Sequence, residues 1–228
     1  MTCTTVMFAN AKGGAGKSTI AFLSALHFAA THHRRVCVVD FDRLRTTYNA
    51  VRRFAGSGVQ SFYLADEYGE GHKVAPDAVR AAIDTCRAGT DTLFVDTPAG
   101  FPAGTMVPAI APDMIFVPVS LSDADIMATQ AYLPELDSAA SQLAELTGVR
   151  PRIVIVPNQV FGDDDTRRLR DIFRGRSIQI APALPFSRTL RDVFHFEPGD
   201  TNIASVFRED RGFFQWISTE IAALHQAR

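Results

Sequence analysis

The run Ala11-Lys12-Gly13-Gly14-Ala15-Gly16-Lys17-Ser18-Thr19 packs three glycines and two lysines into one short stretch, directly after the apolar segment Thr5-Val6-Met7-Phe8-Ala9. Glycines at 13, 14 and 16 let the backbone turn tightly with its N–H groups aimed inward, Ala15 among them, and a helix opening near Lys17 adds the positive end of its dipole. Such a cradle suits a polyphosphate. Lys17 reaches the β- and γ-phosphates as a point charge, and the Ser18 hydroxyl supplies one oxygen to a Mg²⁺ that keeps most of its waters. Thr19 mainly serves the helix. The bland alternative is a glycine-rich hairpin, but the specified positions arise by chance with odds on the order of 10⁻⁴ or less. The strand before and the amphipathic helix Thr19 to Ala30 after supply the context that a phosphate loop requires.

The ordinary pattern GxxxxGK[ST] needs glycine at position 11, where this chain has Ala11. What distinguishes the loop is Lys12. A second lysine cannot share the phosphates of its own pocket without crowding Lys17, so it is free to point toward a nucleotide held by a partner.

Two acidic motifs follow, Val38-Val39-Asp40-Phe41-Asp42 and Phe94-Val95-Asp96-Thr97-Pro98-Ala99-Gly100, each ending an apolar run. An open α/β sheet presents its ligands at the carboxyl edge of its strands, which is where Asp40, Asp42 and Asp96 fall. A lone aspartate there would be read as a cap for the next helix. Three of them behind a phosphate loop favour a site.

Together with Lys12-Gly13-Gly14-x-Gly16-Lys17-Ser18, these motifs resemble the deviant Walker A ATPases, the ParA and MinD group of the larger family that includes the nitrogenase iron protein. The resemblance runs from the first strand to about Asn158, and more loosely to the end. It implies a nucleotide-sandwich homodimer in which Lys12 crosses to the partner's phosphates, ATP joins the two chains, and hydrolysis releases them. It further implies that Asp42 orients the attacking water, that Asp40 helps fix the Mg²⁺ shell, and that Asp96 holds that shell through water. A Gly100 N–H would lie near the γ-phosphate, and Asn158, after the strand Ile153-Val154-Ile155-Val156-Pro157, would meet the adenine edge. On residue type alone Asn158 reads equally well as a turn residue. ParA proteins usually continue DxDPQ; here the sequence is Asp42-Arg43-Leu44-Arg45, and the DTPAG segment is as close to MinD as to ParA.

The elements needed to position these groups alternate strand and helix. Strands are expected near 4–10, 36–40, 92–96, 114–119, 152–157 and 178–181, with helices between, which predicts an α/β P-loop fold with a mostly parallel sheet covered on both faces. Gly56 to Gly71 is weakly patterned and reads as a loop with short elements. One domain over 1–228 is expected, with no room for a helix-turn-helix module before the first strand.

At 228 residues and 46% hydrophobic content the chain can bury a sizeable core, and no apolar stretch of bilayer length occurs. The three cysteines, Cys3, Cys37 and Cys86, are widely spaced and form no metal framework. That disfavours an electron carrier.

The net charge of −2 says little about partners, but residues 163–191 hold seven arginines against four aspartates. Arg167, Arg170 and Arg174 fall on one helical face, with Arg191 beyond. The bland reading is a solvated helix whose Asp163-Asp164-Asp165 start and basic end complement its dipole. The sharper one is a phosphate-contacting patch giving sequence-independent, salt-sensitive DNA binding.

The favoured function is a ParA-like ATPase, cytoplasmic and nucleoid-associated when ATP-bound, that partitions or positions a cargo with a ParB-like or other adaptor. A MinD-like membrane-associated regulator would need a basic amphipathic C-terminal helix. The segment Phe213 to Leu224 has the apolar stripe without the basic face, and Phe214, Ile217, Ile221 and Leu224 read better as packing onto the sheet. A metabolic P-loop ligase would need a polar substrate pocket that no acid/base pair or His/Cys/Ser constellation supplies. A nucleotide-gated scaffold without turnover fits poorly with intact Asp42 and Asp96.

Overall fold

The computed structural model describes residues 3–64, 75–174, 178–195, 202–210 and 212–226. Their strands are β1 (Thr4–Phe8), β2 (Val36–Asp40), β3 (Val59–Tyr63), β4 (Thr92–Asp96), β5 (Met114–Val119), β6 (Arg152–Pro157) and β7 (Gln179–Ile180). They form one sheet in the order β3-β2-β4-β1-β5-β6-β7, and every pairing is parallel. The α/β class with helices on both faces is as expected.

Parallel strands covered on both sides need apolar residues at successive positions, and β1, β2, β4 and β5 are buried throughout. Their period of two divides the core. Met7, Val39, Val95, Val117 and Ile155 face one side with α3 (Pro76–Arg87), α4 (Ala103–Ile110), α5 (Asp123–Thr147) and α6 (Asp163–Phe173). Phe8, Val38, Phe94, Phe116 and Val154 face the other with α1 (Lys17–His32), α2 (Thr46–Arg53) and α9 (Phe213–Gln226). Short helices α7 (Arg188–Arg191) and α8 (Asn202–Glu209), with 3-10 turns at Ala55–Ser57 and Val193–His195, complete the described elements. Phe213, Phe214, Ile217 and Ile221 are fully buried and Leu224 packs against them, so the stripe of α9 is spent on the core. No helix among the described residues is long and apolar enough to cross a membrane.

Several expectations are corrected. The weakly patterned segment contains a seventh strand, β3, in which only Val59 is buried and the other residues are half-buried or exposed because it forms the sheet's edge; positions 65–71 of that segment lie outside the described residues. β1 ends at Phe8 and not at residue 10, because the next residues peel away to build the loop. Helix α6 stops at Phe173, so Arg174 occupies an extended capping position and does not share the helical face of Arg167 and Arg170. No correction falls on the cysteines: Cys37 and Cys86 are buried free thiols, and the contact with Cys86, then burial, drives the Cys37 thiol far above its ordinary range.

Candidate nucleotide site

The phosphate loop joins β1 to α1 at the carboxyl edge of the sheet. Gly14 and Gly16 take left-handed backbone angles, with φ of 76° and 97°, which side chains with a Cβ adopt only with strain. Gly16 is also the residue before α1, and no side chain caps that helix end. The first-turn N–H groups therefore remain available to an anion. Gly16 is required for a second reason: a Cβ there would lie 2.3 Å from Nδ2 of Asn158.

The two lysines of the loop are placed differently. Lys17 is buried, and its ammonium donates to the carbonyls of Asn10 (3.3 Å) and Lys12 (3.0 Å). Burial lowers its pKa, against the pull of Asp96 and Asp42. Lys12 has 44% of its side chain exposed, and its ammonium stands 3.8 Å from Oδ1 of Asp125 at the start of α5. One cation is thus built into the pocket and the other sits on its rim.

Opposite Lys17 stand the carboxylates of β2 and β4, aligned in register as Asp40 and Asp96. Asp40 is fully buried and accepts from the N–H groups of Asp42 (2.8 Å) and Tyr48 (3.0 Å). Asp96 is fully buried as well; its Oδ2 accepts from the Thr47 hydroxyl at 2.6 Å, while Oδ1 has no hydrogen-bond partner. Burial, then the neighbouring Asp40 charge, push the Asp96 carboxyl up to about 7, opposed by Thr47, Ser18 and Lys17. A buried carboxylate oxygen without a partner is costly unless something positive arrives. That oxygen, with the Ser18 hydroxyl close to the same carboxylate, fits a Mg²⁺ carried in on a polyphosphate. Among the described residues no group of three His, Cys, Asp or Glu side chains gathers to hold a metal without such help.

Asp42 is half-buried, and its Oδ1 accepts from Leu44 N–H at 3.0 Å. The loop after β4 abuts the phosphate loop, since a Cβ on Gly13 would be 4.0 Å from that of Ala99. Gly100, exposed with φ of 69°, follows directly. Thr19 lies on α1 just past the loop.

Asn158 stands at the end of β6, with its amide already engaged. Nδ2 donates to Ala15 C=O at 2.8 Å, and Oδ1 accepts from Gln159 N–H at 3.0 Å. These bonds tie the end of β6 to the phosphate loop. Of the arginines, Arg167 pairs with Asp164, Arg168 with Asp123 and Arg174 with Asp171, while Arg191 lies over the Phe186 ring. Arg170 is exposed on α6.

Sequence reasoning missed three contributors. Asn10 is fully buried; its amide donates to Pro118 C=O and the Thr129 hydroxyl, and its Oδ1 accepts from Lys12 N–H, so it sets the shape of the loop's entry. Its position between an apolar strand and a glycine-rich run was the available signal. Thr47 and Asp125 sit on helices α2 and α5, the first shortly after the Asp40–Asp42 motif, and nothing in their local pattern marks them.

Residues 6–193 match the family of CobQ/CobB/MinD/ParA nucleotide-binding domains. The chain belongs to that family. Three solved structures share its fold. Apo McdA from Cyanothece superposes with a TM-score of 0.70 at 15% identity, covering 96% of this chain and 99% of that one. MinD from Pyrococcus horikoshii, complexed with Mg-ADP, gives 0.65 at 14% identity over 98% and 97%. A putative plasmid partition protein from Borrelia burgdorferi bound to AMPPNP gives 0.63 at 13% identity over 90% and 98%. No curated protein matches the sequence.

Proposed function

We propose that this chain is an ATPase that dimerises around bound ATP and uses hydrolysis to time its release, serving a ParA-like partition or positioning role. The observation that carries this reading is the separation of the two loop lysines. Lys17 is enclosed beside Asp96, whereas Lys12 is half-exposed, its ammonium 3.8 Å from Asp125. A cation on the rim is suited to phosphates presented by a second copy.

Within one subunit, the N–H groups of the loop and of the first turn of α1 bind the phosphates, and Lys17 supplies the charge. Ser18, Asp96 and, through its neighbour, Asp40 would hold Mg²⁺, which neutralises charge building on the phosphate oxygens. Asp42, at the pocket mouth, orients the attacking water. Gly100 offers an N–H on the far side. Asn158 keeps the loop in its binding shape by holding the Ala15 carbonyl.

The arginine-bearing α6 is a candidate surface for non-specific DNA. Its exposed ion pairs contribute only about 0–1 kcal/mol each, so DNA phosphates could displace the aspartates at little cost. The burial of α9 supports the positioning reading over a membrane-bound regulator. Adaptor and cargo follow from the same role: a ParB-like or other partner would stimulate hydrolysis.

The test of the chemistry is Asp42→Ala. Phosphate release should fall by about two orders of magnitude while ATP binding persists, as for loss of a group that acts mainly on the transition state. Release at the parental rate would remove Asp42 from the role.

A further inference from the structure

A second group of arginines, around α2, stands in a different setting from those of α6. From Arg43 to Leu64 the chain has four arginines, Arg43, Arg45, Arg52 and Arg53, and no aspartate or glutamate. On α6 and at its end, Arg167, Arg168 and Arg174 are each paired with an aspartate. Among the described residues no carboxylate pairs with Arg43, Arg52 or Arg53, all three of them exposed.

Two half-buried tyrosines order this cluster. The guanidinium of Arg45 lies over the Tyr63 ring of β3, 4.2 Å from its centre, and that ring meets Tyr48 of α2 with centroids 5.9 Å apart. Arg52, one turn further along α2, stands 5.4 Å from the centre of the Tyr48 ring and donates to its hydroxyl at 3.2 Å. The result is an arginine–tyrosine ladder across α2 and the edge strand, about 10 Å long from the seven residues that separate Arg45 and Arg52. A guanidinium resting on a ring keeps N–H groups at its edge for planar anions such as carboxylates.

Both ends of α2 are tied down. The Thr47 hydroxyl donates to Asp96 and the Tyr48 N–H to Asp40, while Arg53 donates to the Phe194 carbonyl. The face is therefore ordered before anything binds, and little ordering cost falls on an occupant. The turn leading into α2 is closed by a bond from Arg45 N–H to Asp42 C=O at 2.9 Å. It carries Asp42, Arg43 and Leu44, and Leu44 is 79% exposed between the two arginines.

Charge complementarity calls for an acidic occupant, and the other residues of the face decide which kind. A DNA duplex laid on these arginines would set Leu44 among hydrated phosphates with nothing to bury it. Arginine and tyrosine are the side chains that protein interfaces concentrate, and a peptide can cover an exposed leucine while its carboxylates meet the guanidinium groups. We propose that the α2–β3 face docks an acidic protein segment bearing apolar side chains, and that this segment belongs to the adaptor, seated against the turn that holds Asp42. The docking site deepens the adaptor reading above and rests on it for the identity of its occupant.

Fluorescence anisotropy of the full chain tests this with two short labelled peptides, one all glutamate and one with leucine at every third position, beside a short labelled DNA duplex. The leucine-bearing peptide should bind roughly tenfold tighter than the all-glutamate one, the gain from burying one leucine side chain. Arg43→Glu with Arg52→Glu should weaken both peptides by about tenfold or more. Leu44→Ser should weaken the leucine-bearing peptide alone, to near the all-glutamate level. Arg167→Glu with Arg170→Glu, on the other arginine surface, should change neither.

Equal affinity of the parental chain for the two peptides would overturn the proposal, as would peptide binding that survives Arg43→Glu with Arg52→Glu. A loss of duplex binding in that variant as large as the loss of peptide, with Leu44→Ser silent, would make the face a nucleic-acid surface instead. Calorimetry with ATP on the same samples keeps two failures apart. A chain that binds ATP but not the leucine-bearing peptide loses this docking site, whereas one that binds the peptide but not ATP loses the ATPase reading.

Discussion

The two flanks of the phosphate loop are built from opposite materials. On the β2 and β4 side, Asp40, Asp96, Thr47 and Lys17 are buried polar groups, close-set and partly unsatisfied. On the β6 and β7 side, the contacts are an exposed aromatic stack and surface arginines, mostly paired with neighbouring aspartates. The first flank is expensive in the folded protein and worthwhile only when charge arrives; the second costs little. A site that must stabilise a polyphosphate concentrates its chemistry on one side and leaves the other adaptable.

The sharpest way to break this contrast is Lys17→Ala. It removes a buried charge–phosphate contact, with an expected loss of about 3 kcal/mol, roughly a hundredfold in ATP affinity by calorimetry. A loss no greater than that from removing an exposed residue of the other flank would erase the difference between them.

A second test examines the cost of the buried carboxylates without ligand. Asp96 has its pKa raised to about 7 in the folded chain, above the ordinary carboxylate value near 4 in the unfolded one. Between those values the folded state binds the extra proton, so stability declines as pH rises from about 4 to about 7. Asp96→Asn should flatten that slope, raise the melting temperature of the Mg²⁺-free protein near pH 8 by an amount equivalent to about 1 kcal/mol, and abolish the Mg²⁺-dependent gain in ATP binding. An unchanged slope would mean that Asp96 is not the strained group.

The expected effect is smaller on the arginine flank. Arg167→Glu with Arg170→Glu should leave ATP binding unaltered and reduce retention of non-specific duplex DNA in gel retardation. Two lost phosphate contacts should also flatten the dependence of log affinity on log salt by about 2. Equal retention would return α6 to the role of a solvated helix.

The same contrast explains what the sequence could disclose. The phosphate flank was legible because a backbone cradle demands contiguous glycines, and because Asp40 and Asp96 end uninterrupted apolar strands. Thr47 and Asp125 were not legible, since each acts only after the fold brings distant segments together, and Asn10 offered only its place between an apolar strand and a glycine-rich run. β3 escaped notice because an edge strand keeps Gln60 and Ser61 among its apolar residues. Arg174 was misplaced because periodicity does not say where α6 ends, and the stacking of Phe161 on Phe186 was invisible because two loops distant in sequence pair to bring the rings together.

The central claim is that Lys12, outside its own pocket, acts on the nucleotide of a second copy. Sedimentation of the parental chain and of Lys12→Ala with a non-hydrolysable ATP analogue and Mg²⁺ tests it most directly. The account predicts a dimer for the parental chain and a nucleotide-bound monomer for the variant; a monomeric parental chain, or a variant that dimerises equally well, would contradict it.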